Sequence, residues 1–215
     1  MTITNNRKYD KVFYENYARL SLKYIYSGVH DFICKDKPDL QNLKEGIGIE
    51  VVRAITEDEG NYLSFINEIA DKHLSIEEKE IRMSKRLHKK KDNISCEFFN
   101  SGSSPSKGLV TPLAYLDNIL KWNREKNSKI SDYKLGGWKQ LGLYIFTFQD
   151  NTEQEIRTII PKLCTESEFD FHIINAIDEL YYIKKNQDYF KYLVSYDDLK
   201  SFKSEAFTIQ EELYK

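Results

Sequence analysis

The segment from residue 47 to residue 52 constrains the fold most strongly, because it places a charged residue inside an apolar run. It reads Ile-Gly-Ile-Glu-Val-Val, with Glu50 at its centre. A run of this length and composition is typical of a buried β-strand. A buried carboxylate without a partner costs free energy, so Glu50 requires a compensating group beside it. A metal ion shared with a second carboxylate would be one such partner.

A second carboxylate stands nearby in the sequence. Asp39 follows a proline and precedes Glu50 by 11 positions, and a glycine-containing turn at residues 44–46 lies between them. This pattern predicts a β-hairpin with strands at residues 39–42 and 47–54. We expect the two carboxylates to lie on adjacent antiparallel strands and on the same side of the sheet, because side chains alternate between the two faces.

The rest of the chain alternates between helical and strand patterns. Apolar spacing and two capping boxes, which begin at Ser75 and Thr152, predict six helices, at residues 10–27, 60–73, 75–91, 112 to about 129, 152–163 and from about 197. Further strands are predicted at residues 31–35 and 141–148 and in a hairpin at 171–177 and 180–184, whereas residues 100–108 have the composition of a flexible loop. Interleaved helices and strands indicate an α/β fold with a mixed central sheet flanked by helices. We expect a single domain over residues 1–215, with a helical appendage at its C-terminal end.

Composition excludes several classes of protein. The chain has 215 residues and a formal net charge of −2, so its bulk charge does not indicate a nucleic-acid partner. No apolar run approaches the roughly 18 residues that span a membrane, and the N-terminus lacks an apolar signal core. Three cysteines without metal-ligand spacing fit a reducing compartment. We therefore expect a cytoplasmic protein without a membrane partner.

The Pro-Asp pair at the start of a strand, the hairpin turn and the glutamate in an Ile-Glu-Val setting resemble the PD-(D/E)xK nuclease-like superfamily. The resemblance covers roughly residues 10–185 and is to a divergent bacterial or phage member. It implies a restriction-endonuclease-like core, in which a helix precedes the hairpin and further strands and a core helix follow. It also implies hydrolysis of phosphodiester bonds in DNA, with Mg²⁺ or Mn²⁺ bound by Asp39 and Glu50. Glu15, on the first helix, is a further candidate metal ligand.

The superfamily's catalytic lysine, two residues after the glutamate, is replaced here by Val52. Lys126 is the first substitute and Lys129 the second, because the resemblance allows another element to supply the lysine. Lys126 falls near the sheet-facing side of its helix, from which a long side chain can reach a cleft. The alternative is a catalytically degenerate nuclease fold, which would bind a protein partner in a phage or defence context.

A basic segment contains four candidate nucleic-acid contacts, namely Lys85, Arg86, Lys89 and Lys90. Such residues could bind phosphate groups. The alternative interpretation is a solvated helix end, because cations near a helix C-terminus complement the helix dipole.

Overall fold

The structure is a computed structural model that describes residues 10–54, 75–89, 94–99, 102–107, 112–147 and 152–214. The chain divides into two compact units. The larger unit comprises residues 9–54 and 112–215, and the smaller unit comprises residues 1–8 and 55–111. The helix predicted at residues 60–73 lies outside the described residues. The single domain expected over the whole chain stays a prediction.

Nine strands are described: β1 (Ile33–Cys34), β2 (Leu40–Asn42), β3 (Ile47–Arg53), β4 (Ile94–Phe99), β5 (Gly102–Lys107), β6 (Gln140–Thr147), β7 (Phe171–Ala176), β8 (Glu179–Lys184) and β9 (Tyr189–Leu193). Seven of them form the sheet of the larger unit, in the order β1-β2-β3-β6-β7-β8-β9. Strands β3, β6 and β7 are parallel, and an antiparallel pair of strands extends the sheet on either side. This mixed sheet confirms the α/β class predicted from the sequence.

Six α-helices are described: α1 (Lys11–Ser21), α2 (Ile76–Lys89), α3 (Pro112–Asn127), α4 (Ile130–Lys134), α5 (Glu153–Glu166) and α6 (Tyr196–Leu213). Among these helices, none is both long enough and apolar enough to cross a membrane. The two predicted capping boxes are both present. Thr152 and Glu155 exchange side-chain and backbone hydrogen bonds at the start of α5, and Ser75 and Glu78 do so before α2. Each box satisfies backbone donors that the first helical turn leaves unpaired.

The sheet of the larger unit is buried on both faces. Leu143 packs with Val52 in one core and its neighbour Tyr144 packs with Ile49 in the other, as the alternation of side chains along a strand requires. Helices α3, α4 and α5 cover the first face, and α1 and α6 cover the second. Their buried apolar side chains include Ile119, Ile130 and Ile156 on the first face and Phe13, Ala18 and Phe202 on the second.

The first helix is shorter than the sequence predicts. Apolar spacing extends to residue 27, but α1 ends at Ser21 and a 3-10 turn follows at Leu22–Tyr24. The Ser21 hydroxyl is hydrogen-bonded to Ala18 O and lies 2.8 Å from the Tyr144 hydroxyl in the sheet. These tertiary contacts fix the end of α1 where local apolar spacing alone would continue it.

The smaller unit corrects one prediction. Residues 100–108 were expected to be a flexible loop because they are rich in glycine and serine. Instead, β5 occupies Gly102–Lys107 and pairs with β4 in antiparallel register from Ile94↔Lys107 to Phe99↔Gly102. Backbone hydrogen bonding can form this ladder without the apolar side chains on which the prediction depended.

Candidate active site

The predicted hairpin brings Asp39 and Glu50 together. Strands β2 and β3 are antiparallel, and their register pairs Leu40 with Ile49. One step further along the same register, Asp39 lies opposite Glu50, immediately before the first residue of β2. Both side chains are almost fully buried, with exposed fractions of 4% and 7%. The hairpin register thus brings the two residues next to each other, and the shared face expected for their carboxylates stays a prediction.

Asp39 also completes the hydrogen bonding of β3. Its Oδ2 accepts the backbone N–H of Val51 at 2.9 Å, at a point beyond the end of the paired β2 segment. A carboxylate that accepts a backbone N–H is held in one orientation. The Asp39 backbone carbonyl accepts the N–H of Lys35 at 2.9 Å, which closes the loop between β1 and β2. Asp39 is thus fixed by main-chain contacts on both sides.

Glu50 is paired with a lysine from a distant part of the sequence. Lys126, near the end of α3, places Nζ 2.6 Å from Glu50 Oε1, and its side chain is 18% exposed. The phenol of Tyr133, on α4, lies close enough to Glu50 to influence its ionisation. Burial and the charge of Asp39 raise the pKa of Glu50, although the contacts with Lys126 and Tyr133 oppose that rise. The ion pair with Lys126 therefore offsets only part of the cost of burying the charged Glu50 carboxylate.

The helix α1 supplies a third carboxylate and a second ammonium group. Lys11 Nζ lies 3.0 Å from Asp39 Oδ1 and 3.2 Å from Glu15 Oε1. Glu15 is buried, and its Oε1 makes no hydrogen bond within the described part of the chain, so its contact with Lys11 is an ion pair only. Burial, followed by the charge of Asp39, raises the pKa of Glu15 to about 7. The site thus binds a proton unusually tightly at this carboxylate.

Close packing beneath the loop sets the position of Asp39. A Cβ added to Gly48 would lie 2.6 Å from Pro38 Cγ and 3.0 Å from Trp138 Cδ2. Gly48 is two residues before Glu50 and shares its face of the sheet. The absence of a side chain at this position allows the Pro38 ring to approach β3, which places the following Asp39 beside Glu50.

Asp39 and Glu50 are the residues that could hold a hard divalent cation here. Among the described residues, no three His, Cys, Asp or Glu side chains are gathered closely enough to hold a metal ion by themselves. Mg²⁺ does not require such a cage, because proteins commonly bind it through one or two carboxylates with water completing the octahedron. Asp39 and Glu50 would supply those carboxylates, and Glu15, whose Oε1 is buried against the Lys11 ammonium, lies on the side of Asp39 that faces α1.

Lys129, the second lysine candidate, is not part of this group of residues. Lys129 pairs with Glu125 at 3.7 Å on the exposed side of the end of α3. Val52, at the position of the expected lysine, is buried in the core on the Glu50 face. Of the basic candidates, Lys85, Arg86 and Lys89 belong to α2 in the smaller unit, and Lys90 lies outside the described residues.

Sequence reasoning missed two members of the site, Lys11 and Tyr133. The spacing of Lys11 and Glu15 is that of neighbours on a helix, so their pairing was visible in the sequence. Nothing in the sequence connected Lys11 with Asp39, which lies beyond the end of α1. Tyr133 sits on the short helix α4 and has no local pattern that indicates a contact with β3.

A separate buried polar group is structural. His172 Nε2 lies 3.0 Å from Asn123 Oδ1 and 3.2 Å from Ser167 Oγ. Complete burial lowers the pKa of His172 to about 3, so the imidazole is neutral near pH 7. Its partners account for its burial, and it belongs to the packed core rather than to the carboxylate site.

In comparisons with known proteins, no family model matches the chain, and no curated protein or solved structure matches it significantly.

Proposed function

We propose that the larger unit is a divalent-metal-dependent nuclease, which hydrolyses phosphodiester bonds in DNA with Mg²⁺ or Mn²⁺. One observation carries the proposal. Lys126 Nζ lies 2.6 Å from Glu50 Oε1, although 76 positions separate the two residues. A lysine supplied from another element is what the resemblance to PD-(D/E)xK nucleases requires when the usual position holds Val52.

The order of elements supports the same proposal. Helix α1 precedes the hairpin of β2 and β3, and the core helix α3 leads into β6, which is parallel to β3. This is the order that the resemblance implies for a restriction-endonuclease-like core. Glu15 lies on α1, Asp39 immediately precedes β2, Glu50 lies on β3 and Lys126 lies on α3.

Each residue has a chemical role that suits its position. Asp39 and Glu50 would hold the cation, which when bound polarises the phosphate and lowers the pKa of a water molecule. Lys126 lies beside Glu50 and is still partly exposed, so its ammonium can orient a water molecule or stabilise negative charge that develops on the phosphate. Tyr133 lies near Glu50 and favours its ionised form, which is the form that would bind a cation.

A second function is favoured by one specific observation. Val52 is packed in the core and leaves no lysine on β3, and Lys126 is engaged in an ion pair. The same scaffold without catalysis would be a protein-interaction or regulatory module, with Lys126 serving only to neutralise Glu50.

A nuclease assay distinguishes the two functions. Wild-type protein is incubated with Mn²⁺ and single-stranded DNA, double-stranded DNA or RNA, beside Glu50→Gln and Lys126→Met. The nuclease should cleave DNA, and each variant should lose activity about 100-fold or more, as is typical when one group that stabilises a transition state is removed. Lys121→Met, an exposed lysine on the same helix, is the matched control and should retain full activity.

Absence of cleavage by the wild type on every substrate would refute the nuclease and favour the interaction module. Cleavage that survives in Lys126→Met would leave a nuclease but remove Lys126 from its mechanism.

A further inference from the structure

Lys11 occupies an unusual position for an exposed lysine. Its side chain is 66% exposed, yet its ammonium lies between two buried carboxylates, 3.0 Å from Asp39 Oδ1 and 3.2 Å from Glu15 Oε1. Exposed lysines that form ion pairs usually meet exposed partners, and they gain little from doing so. Here the flexible side chain reaches back from the surface into the acidic site.

The two lysines of the site differ in how freely they can leave it. Lys126 is only 18% exposed and pairs with Glu50. Lys11 begins α1 and has a long, largely solvated side chain, so its ammonium can move into water without disturbing the packing of the helix. Lys11 is therefore the positive charge that a cation can replace most easily.

A divalent cation and the Lys11 ammonium cannot both occupy the space beside Asp39. Each needs the same Oδ1, because Oδ2 is already committed to the backbone N–H of Val51. Like charges at such a separation also repel one another. Binding of the cation must therefore displace the ammonium.

We propose that Lys11 is a built-in competitor of the divalent cation, and that it sets the metal affinity of the site by occupying Asp39 and Glu15 until metal displaces it. This inference rests on the proposed function, because it requires a metal at Asp39 and Glu50. It goes further by assigning a role to a residue outside the expected catalytic set.

Calorimetric titration with Mn²⁺, in the absence of substrate, tests the inference. Lys11→Met removes the competing charge and keeps most of the stem, so its apparent Kd should fall about fivefold, the effect of removing a partly exposed ion pair that binding must break. Lys11→Arg keeps the charge and should bind no more tightly than the wild type. Lys44→Met is the matched control, because Lys44 is equally exposed and pairs at 3.7 Å with Asp31, outside the site.

The outcomes separate this inference from the proposed function. Equal affinity in the wild type, Lys11→Met and Lys44→Met would overturn the role of Lys11 and leave the metal site standing. Equal tightening in Lys11→Met and Lys44→Met would also overturn it, since a change in net charge would then explain both. If neither the wild type nor Lys11→Met binds Mn²⁺ while both remain folded by circular dichroism, the metal site and the inference both fail.

Discussion

Replacing Lys126 with methionine should destabilise the protein substantially, whether or not the site is catalytic. Methionine keeps much of the apolar stem and removes the ammonium, so the effect reports charge rather than lost packing. The change leaves Glu50 buried beside Asp39 without the ammonium group that is paired with it. An uncompensated buried charge is among the few causes of large destabilisation by a single substitution.

The magnitude follows from burial. Removing one partner of a fully buried ion pair costs about 3–5 kcal/mol. The Lys126 side chain is 18% exposed and Glu50 is 7% exposed, so water already screens part of the pair. We therefore expect a loss of about 2–3 kcal/mol in the free energy of unfolding at pH 8.

The loss should be smaller at pH 5. Burial and Asp39 raise the pKa of Glu50 in the folded protein, and removal of Lys126 raises it further. A carboxyl group whose pKa is raised by folding binds its proton more tightly in the folded state. The free energy of unfolding therefore falls as the pH rises from the pKa of the unfolded state to that of the folded state. At pH 5 the variant can protonate Glu50 and avoid part of the penalty.

Urea unfolding at the two pH values measures the effect. Lys121→Met is the control and should change stability by less than about 0.5 kcal/mol, as expected for an exposed surface position. The double variant Lys126→Met with Glu50→Gln should be more stable than Lys126→Met alone, because it leaves no buried charge unpaired. If Lys126→Met is no less stable than the control at pH 8, Glu50 and Lys126 are not the coupled, buried pair described above.

Two further predictions concern the surroundings of the pair. Because the pKa of Glu15 is raised to about 7, the wild type should lose stability as pH rises from about 4.5 to about 7, and Glu15→Gln should flatten this decline in melting temperature; an unchanged decline in the variant would contradict the assignment. Gly48→Ala should cost about 1–3 kcal/mol in urea unfolding, because its Cβ would lie 2.6 Å from Pro38 Cγ; unchanged stability would show that the proline ring is free to move.

The features that sequence predicted well are those that short segments encode. The apolar run around Glu50 and the turn before it were sufficient for the hairpin, whose register brings Asp39 and Glu50 together. The two capping boxes were equally local, since each is a hydrogen-bonded exchange between residues three positions apart. The proximity of Lys126 followed from helical periodicity, because the face of α3 that packs on the sheet also determines where its last turn points.

The features that sequence missed depend on tertiary contacts. The end of α1 at Ser21 depends on Tyr144, which lies 123 positions away. Tyr133 reaches Glu50 from a short helix that has no distinctive pattern. The edge strand β9 has no fully buried side chain and no strict alternation of exposure, so its apolar pattern is weak and its pairing with β8 defines it.

The balance of charges in the site connects its ion pairs with the raised pKa of Glu15. Among the described residues, three buried carboxylates, those of Asp39, Glu50 and Glu15, are paired with the ammonium groups of Lys11 and Lys126, and Lys11 also lies 3.9 Å from the exposed Asp36. A site with this imbalance stabilises any further positive charge, and the raised pKa of Glu15 shows that a proton already benefits from it. A divalent cation would benefit more, because it carries twice the charge and because its arrival frees Lys11 to move into water. The same imbalance would have no use in a purely structural core, where replacing the charged residues with apolar ones of similar volume is often neutral or stabilising.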